Sequence, residues 1–138
     1  MNDTYHILLI DDSREDAMMI ERIIRKHPAK PKFTWIGDAE DGLAYLSASP
    51  APEHLLILID IKMPKLTGLE LIEELAKTKK LSYLRNVTVY SSSDLKRDVD
   101  RALQHEGVEF NTKPNGYLEA KSWLTDKITN LISKAANN

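Results

Sequence analysis

Four short apolar runs in this 138-residue chain end on groups that can do chemistry. Asp11 and Asp12 follow residues 5–10, and Asp60 follows residues 55–59. Ser91 follows residues 87–90, and Lys113 with Pro114 follows residues 108–112. If these runs are neighbouring parallel strands, their carboxylates, hydroxyl and ammonium collect at one edge of a sheet. Carboxylates that close repel, so they either take up protons or share a cation. A donor set of oxygens, with no cysteine or histidine, selects a hard dication, Mg²⁺ before Mn²⁺. Such an ion keeps several waters, which leaves room for phosphate oxygens. A carboxylate beside it is a nucleophile for phosphorus and yields an acyl phosphate. Lys113 and the Ser91 hydroxyl would hold the incoming phosphoryl oxygens, and catalysis would be positioning and charge neutralisation.

Each group alone has a plainer reading. An Asp-Asp pair at a strand end is commonly a turn or a helix cap. Ser91 is also a good cap, and Lys113 an ordinary loop lysine. Asp60 is more telling, because a charge closing a buried strand costs free energy unless something compensates it. The occurrence of all of them in this order is far more specific than any one.

The elements that must position these groups are legible as a pattern. Residues 5–10 are nearly all apolar, as a strand buried on both faces should be. Ala17, Ile20 and Ile24 then recur at helical spacing, with Ser13 or Asp12 as a cap. Residues 32–36 alternate and predict a more exposed strand; a short helix follows over 41–46. Residues 49–53, rich in serine and proline, predict a loop. Residues 55–59 are the most apolar stretch and belong at the sheet centre. Gly68 precedes a third helix marked by Leu69, Ile72, Leu75 and Ala76. Residues 87–90 are β-rich, and the polar loop 91–94 is expected to cap a helix running to about 105, where Gly107 stops it. A fifth strand over 108–112 leads to a last helix carrying Trp123 or Leu124, Ile128, Leu131 and Ile132, which frays from Ala135. Five strands alternating with five helices predict an α/β fold, a doubly wound parallel sheet whose ligand site lies beyond the carboxyl ends of the strands.

Composition bounds the rest. Apolar residues make up 42% and charged residues 29%, which fits a globular domain. A net charge of −2 gives no general reason to bind nucleic acid or an anionic membrane. The lack of cysteine excludes disulfides and thiol chemistry, and the four histidines have no ligand spacing. No run approaches the roughly 20 apolar residues of a membrane span, and no secretory signal is legible. The expectation is one cytoplasmic domain over 1–138, with its core at about 5–134 and no output module.

With these motifs in view, the chain resembles the receiver domain of bacterial two-component response regulators, the CheY-like family. The likeness runs from Tyr5 to about Ile132. Leu-Ile-Asp11-Asp12, Ile-Asp60-Ile-Lys-Met-Pro64 with Gly68, Val-Tyr-Ser91-Ser92 and Asn-Thr-Lys113-Pro114 carry it. Asp41-Gly42 in its setting, with the long loop before the third strand, looks most like the single-domain regulators that accompany bacterial phytochromes. The resemblance implies a flavodoxin-like (βα)5 sheet in the order 2-1-3-4-5, an order the CheY example supplies.

It also implies the roles. Asp60 accepts a phosphoryl group from a phosphohistidine on a sensor histidine kinase or phosphotransfer protein. Asp12 binds Mg²⁺ directly, Asp11 acts near it, often through water, and the Lys62 carbonyl completes the shell. Ser91 and Lys113 engage the phosphoryl group, and Phe110 is the switch aromatic that turns inward. The face made by the fourth helix, fifth strand and fifth helix, with Asp98, Arg101, Phe110 and Trp123, would carry the signal by protein contact to a downstream target or a second copy. From its own spacing, Trp123 reads rather as partly buried core. The protein would be a phosphoacceptor that catalyses only its own phosphotransfer and dephosphorylation, not an enzyme in its own right.

Departures from the common pattern are Lys62 and Ser93 at the variable positions facing the phosphate, Phe110 in place of tyrosine, and Asn115-Gly116 after Lys113-Pro114. In the family the Lys113-Pro114 bond is often cis. Competing readings are a flavin-binding electron carrier, which the acidic segment 11–16 would repel, and an aspartyl-phosphate phosphohydrolase, whose aspartates are two residues apart rather than adjacent. A degenerate receiver that only binds partners is the third.

Overall fold

The computed structural model describes residues 5–48, 55–78, 81–92 and 95–136. Five parallel strands form one sheet in the order β2-β1-β3-β4-β5. They are β1 (His6–Ile10), β2 (Lys32–Ile36), β3 (Leu55–Ile59), β4 (Val87–Ser91) and β5 (Glu109–Thr112). The helices are α1 (Arg14–Lys26), α2 (Ala39–Ala48), α3 (Gly68–Lys77), α4 (Leu81–Leu84), α5 (Lys96–Leu103) and α6 (Tyr117–Ala136). This is the flavodoxin-like receiver architecture that the motifs implied. The one-turn α4 is additional to the five helices expected, so the fourth and fifth of that reading are α5 and α6.

The central strands are apolar throughout because they are covered on both faces. Ile7, Leu8, Leu9 and Ile10 of β1 are fully buried, as are Ile57, Leu58 and Ile59 of β3. One face of the sheet packs Leu8, Ile10, Ile57 and Ile59 against Leu71, Ile72 and Leu75 of α3 and Ala102 of α5. The other packs Ile7, Leu9 and Leu58 against Ala17, Ile20 and Ile24 of α1 and Ala120, Leu124 and Ile128 of α6. Edge strand β2 leaves Lys32 and Trp35 exposed and is less buried than the central strands, as expected, although its exposure does not alternate.

Local chemistry sets the helix starts. Ser13 Oγ accepts from the Asp16 amide at 3.2 Å and caps α1. Thr67 and Glu70 form a reciprocal capping box at α3. The expected serine cap of α5 is not what holds that helix: its N-cap is Leu95, with no side-chain cap bond. The helix ends at Leu103, and Gly107 turns the chain at φ 91°, where a Cβ would meet the Arg85 backbone at 2.9 Å. No cis peptide bond occurs among the described residues, so Lys113–Pro114 is trans, the isomer X-Pro bonds favour by about 0.5–1 kcal/mol. The expectations for the loop at 49–53, for Ser93 and for the last two residues lie outside the described residues.

Candidate functional site

The parallel ladders continue one residue beyond the strands and bring the site together. Asp11 N donates to Ile36 O at 3.1 Å, Asp60 N to Ile10 O at 3.0 Å, and Lys113 N to Ser91 O at 2.8 Å. Each bond fixes a backbone at the carboxyl edge of the sheet, so the side chains converge there. Oxygens of Asp11, Asp12 and Asp60 lie within 4.8 Å of one another. Asp11 and Asp60 are buried and Asp12 is exposed. The Lys113 ammonium stands 2.6 Å from Asp16 Oδ2, 2.9 Å from Asp11 Oδ2 and 3.6 Å from Asp60 Oδ2. Ser91, the last residue of β4, is fully buried beside them.

Two supports hold the acidic loop. Asp11 Oδ1 accepts from the Ser13 amide at 2.9 Å. The Trp35 indole N–H reaches across from β2 and donates to the Asp11 carbonyl at 2.7 Å. Gly68 supports Asp60 from the other side. Its amide donates to Ile61 O at 3.0 Å, and a Cβ there would lie 2.0 Å from the Asp60 carbonyl oxygen. No residue larger than glycine fits without moving the β3–α3 loop.

The electrostatics are those of an over-anionic pocket. Burial pushes the Asp11 carboxyl up to about 6; the Lys113 and Ser13 contacts oppose this, and the Asp60 charge adds to it. Burial likewise raises Asp60, against the pull of Lys113, Ser91 and the Ile61 amide. Burial alone would depress Lys113, but Asp16 and Asp11 hold its ammonium raised. The Tyr90 phenol beneath is pushed up to about 12, first by burial and then by Asp16.

Asp60 Oδ1 is buried with no hydrogen-bond partner, and buried Asp11 Oδ2 has only the Lys113 ammonium, at 2.9 Å. Buried carboxylate oxygens left this way cost free energy, and a hard cation is the partner that satisfies several together. The donor set of Asp11, Asp12 and Asp60 therefore fits a divalent ion of the Mg²⁺ or Mn²⁺ kind. Lys62, two residues after Asp60, has an exposed side chain.

Asp16 is the residue the motif reading passed over as mere acidity. It lies in the first turn of α1 and makes the shortest contact to Lys113, across 97 residues. The expected switch residues divide between the two faces. Phe110 is half-buried and packs on the α3–α5 side. Trp123 is half-buried on the α1–α6 side and stacks on Tyr90 at 4.9 Å between ring centroids. It is thus part of the core, as its spacing implied. Arg101 is tied to Glu73 of α3 by bonds of 2.9 and 2.6 Å.

Known proteins resemble this chain in sequence and in fold. The sequence profile of the response regulator receiver domain matches residues 7–122. The two-component response regulator ARR5 of Arabidopsis thaliana is 32% identical over 144 residues, covering 96% of this chain and 75% of that protein. The likeness therefore reaches beyond bacteria. Across three plant regulators the chain spans 62, 75 and 63% of their length. The phosphorylated cyanobacterial phytochrome response regulator RcpA shares the fold at a TM-score of 0.82 and 21% identity, over 95% of this chain and 96% of that one. The Mn²⁺-bound form of response regulator Rcp1 does so at 0.74 and 23%, over 88% and 90%. With the profile matched over most of its length, the chain belongs to the receiver domains of two-component response regulators.

Proposed function

We propose that this domain takes a phosphoryl group on Asp60 from a phosphohistidine and signals by a change of surface. The observation that carries the reading is the meeting of Asp60 with Lys113 at 3.6 Å beside the Asp11–Asp12 pair. An Asp60 oxygen bonds to phosphorus as the P–N bond to the donor imidazole breaks, and the imidazole takes a proton from solvent. Asp11, Asp12, Asp60 and the Lys62 carbonyl would hold Mg²⁺ or Mn²⁺, which supplies charge neutralisation for the phosphoryl oxygens. Lys113 supplies the remaining positive charge, and the Ser91 hydroxyl a donor.

The added charge on Asp60 draws Lys113 and Ser91 toward it. Ser91 and Lys113 belong to the neighbouring ends of β4 and β5, and Phe110 lies on β5 between α5 and the sheet. The reading has Phe110 follow Ser91 and alter the α5-β5-α6 face, which meets a downstream protein or a second copy. The donor is a sensor histidine kinase or a phosphotransfer protein of the cytoplasm; the likeness to RcpA favours a phytochrome as that kinase. Among the described residues no helix is long and apolar enough to cross a membrane.

The test is labelling with Mg²⁺ and acetyl phosphate. One base-labile phosphoryl group per chain is expected, absent in Asp60→Asn. Equal labelling of that variant would remove Asp60 as the acceptor.

A further inference from the structure

We propose that Asp16 is a positioning residue that restrains the switch, holding Lys113 back from Asp60 until a phosphoryl group arrives. The inference rests on the phosphoacceptor reading and adds to it a brake built from the first turn of α1. Lys113 has three anionic partners, and they are not equivalent. Asp11 and Asp60 are buried, whereas the Asp16 side chain keeps 26% of its exposure. Yet the shortest contact, 2.6 Å, is to Asp16, while Asp60 stands at 3.6 Å. The ammonium is thus drawn toward the helix and away from the acceptor.

Asp16 is also the partner most easily given up. Its carboxylate reaches water, so losing Lys113 leaves it solvated and not stranded. It sits at a helix N-terminus, where negative charge is favourable, and its own amide is tied to Ser13 Oγ. Asp11 has no such recourse. When Asp60 gains a phosphoryl group, Lys113 can therefore exchange Asp16 for the phosphoryl oxygens while keeping Asp11. Activation then includes breaking one partly exposed ion pair, and the off state owes part of its population to that pair.

The test uses the full chain with Mg²⁺ and beryllofluoride, a phosphoryl mimic, titrated by fluorine NMR. Asp16→Asn keeps size and removes the charge, and should tighten beryllofluoride binding about fivefold, the scale of one partly exposed ion pair. Asp16→Glu should return the affinity to near that of the unaltered chain. Exposed Glu15 of the same turn is not a partner of Lys113, so Glu15→Gln removes the same charge and should leave the affinity unchanged. In unliganded Asp16→Asn, the ¹⁵Nζ resonance of Lys113 should shift, with faster proton exchange. Unchanged or weaker binding in Asp16→Asn overturns the brake. Equal tightening by Glu15→Gln also overturns it, since it reduces the effect to bulk charge. Beryllofluoride binding by Asp60→Asn as tight as by the unaltered chain defeats the phosphoacceptor reading itself, whatever Asp16 does.

Discussion

Replacing Gly68 by alanine should damage the fold and the site together. A Cβ at this position would stand 2.0 Å from the Asp60 carbonyl oxygen and 2.8 Å from Ile59 Cγ2. An ordinary contact begins near 3.4 Å, so the chain must open by about 1.4 Å. The near neighbour is backbone at the end of the central strand, where Asp60 N also bonds Ile10 O, so it cannot swing aside as a side chain would. Overpacking of this kind costs about 1–3 kcal/mol. Lengthening the Gly68 N to Ile61 O bond adds about 1 kcal/mol. The total, about 3 kcal/mol, can be read as a melting shift. At about 2.1 cal/mol/K per residue, 138 residues unfold with roughly 0.29 kcal/mol/K, so Tm should fall by about 10 °C. Thermal melting followed by circular dichroism measures this, and acetyl phosphate labelling of the folded variant should be slowed as Asp60 is displaced. A Tm within about 2 °C of the unaltered chain, with normal labelling, would show that the close approach of α3 to the Asp60 carbonyl is not a constraint.

Other outcomes follow from the site's charge. The folded Asp11 carboxyl, raised to about 6, still holds protons that the unfolded one has released. Without divalent ions, its share of stability is therefore full below about 4 and is lost as pH rises through about 6, roughly 3 kcal/mol in all. Urea unfolding of the unaltered chain against Asp11→Asn isolates it: the variant should show a flatter profile, and parallel profiles would contradict the assignment. Lys113→Ala leaves Asp11 and Asp60 without their cation and should destabilise the metal-free protein by about 3–5 kcal/mol at pH 8. It should keep Mg²⁺ binding while losing the conformational response to phosphoryl mimics; a full response would take Lys113 out of the switch. Asp12→Ala should abolish the thermal stabilisation by Mg²⁺, which calorimetry with and without the ion tests. Glu73→Gln breaks an exposed pair with Arg101, and a change in urea-unfolding free energy above about 1 kcal/mol would mean that pair does more than staple α3 to α5.

The sheet was readable because each central strand is a continuous apolar run closed by a charge. Residues 55–59 followed by Asp60 could hardly be read otherwise. The short α4 was not, since four residues give no helical period. Nor was the Leu95 cap of α5, because the Ser-rich loop before it satisfied the usual capping rule. That three carboxylates and a lysine meet at one sheet edge was legible from their places after strands. Asp16 was not, because its meaning depends on the direction in which the first turn of α1 points and on a lysine brought in by the far end of the chain. Trp35 escaped for a similar reason: nothing in an alternating edge strand tells that its indole will anchor the backbone of a residue on the neighbouring strand.

That indole gives the protein a built-in optical reporter. The chain has two tryptophans, one on edge strand β2 and one on α6. Trp35, 40% exposed, is clipped to the peptide that carries Asp11. Trp123 lies over the Tyr90 ring. A fluorescence change on adding a divalent ion should originate mainly at the first, and one that tracks output mainly at the second. Single Trp→Phe replacements would then let one instrument follow ion capture and signal emission as separate channels, with no dye attached.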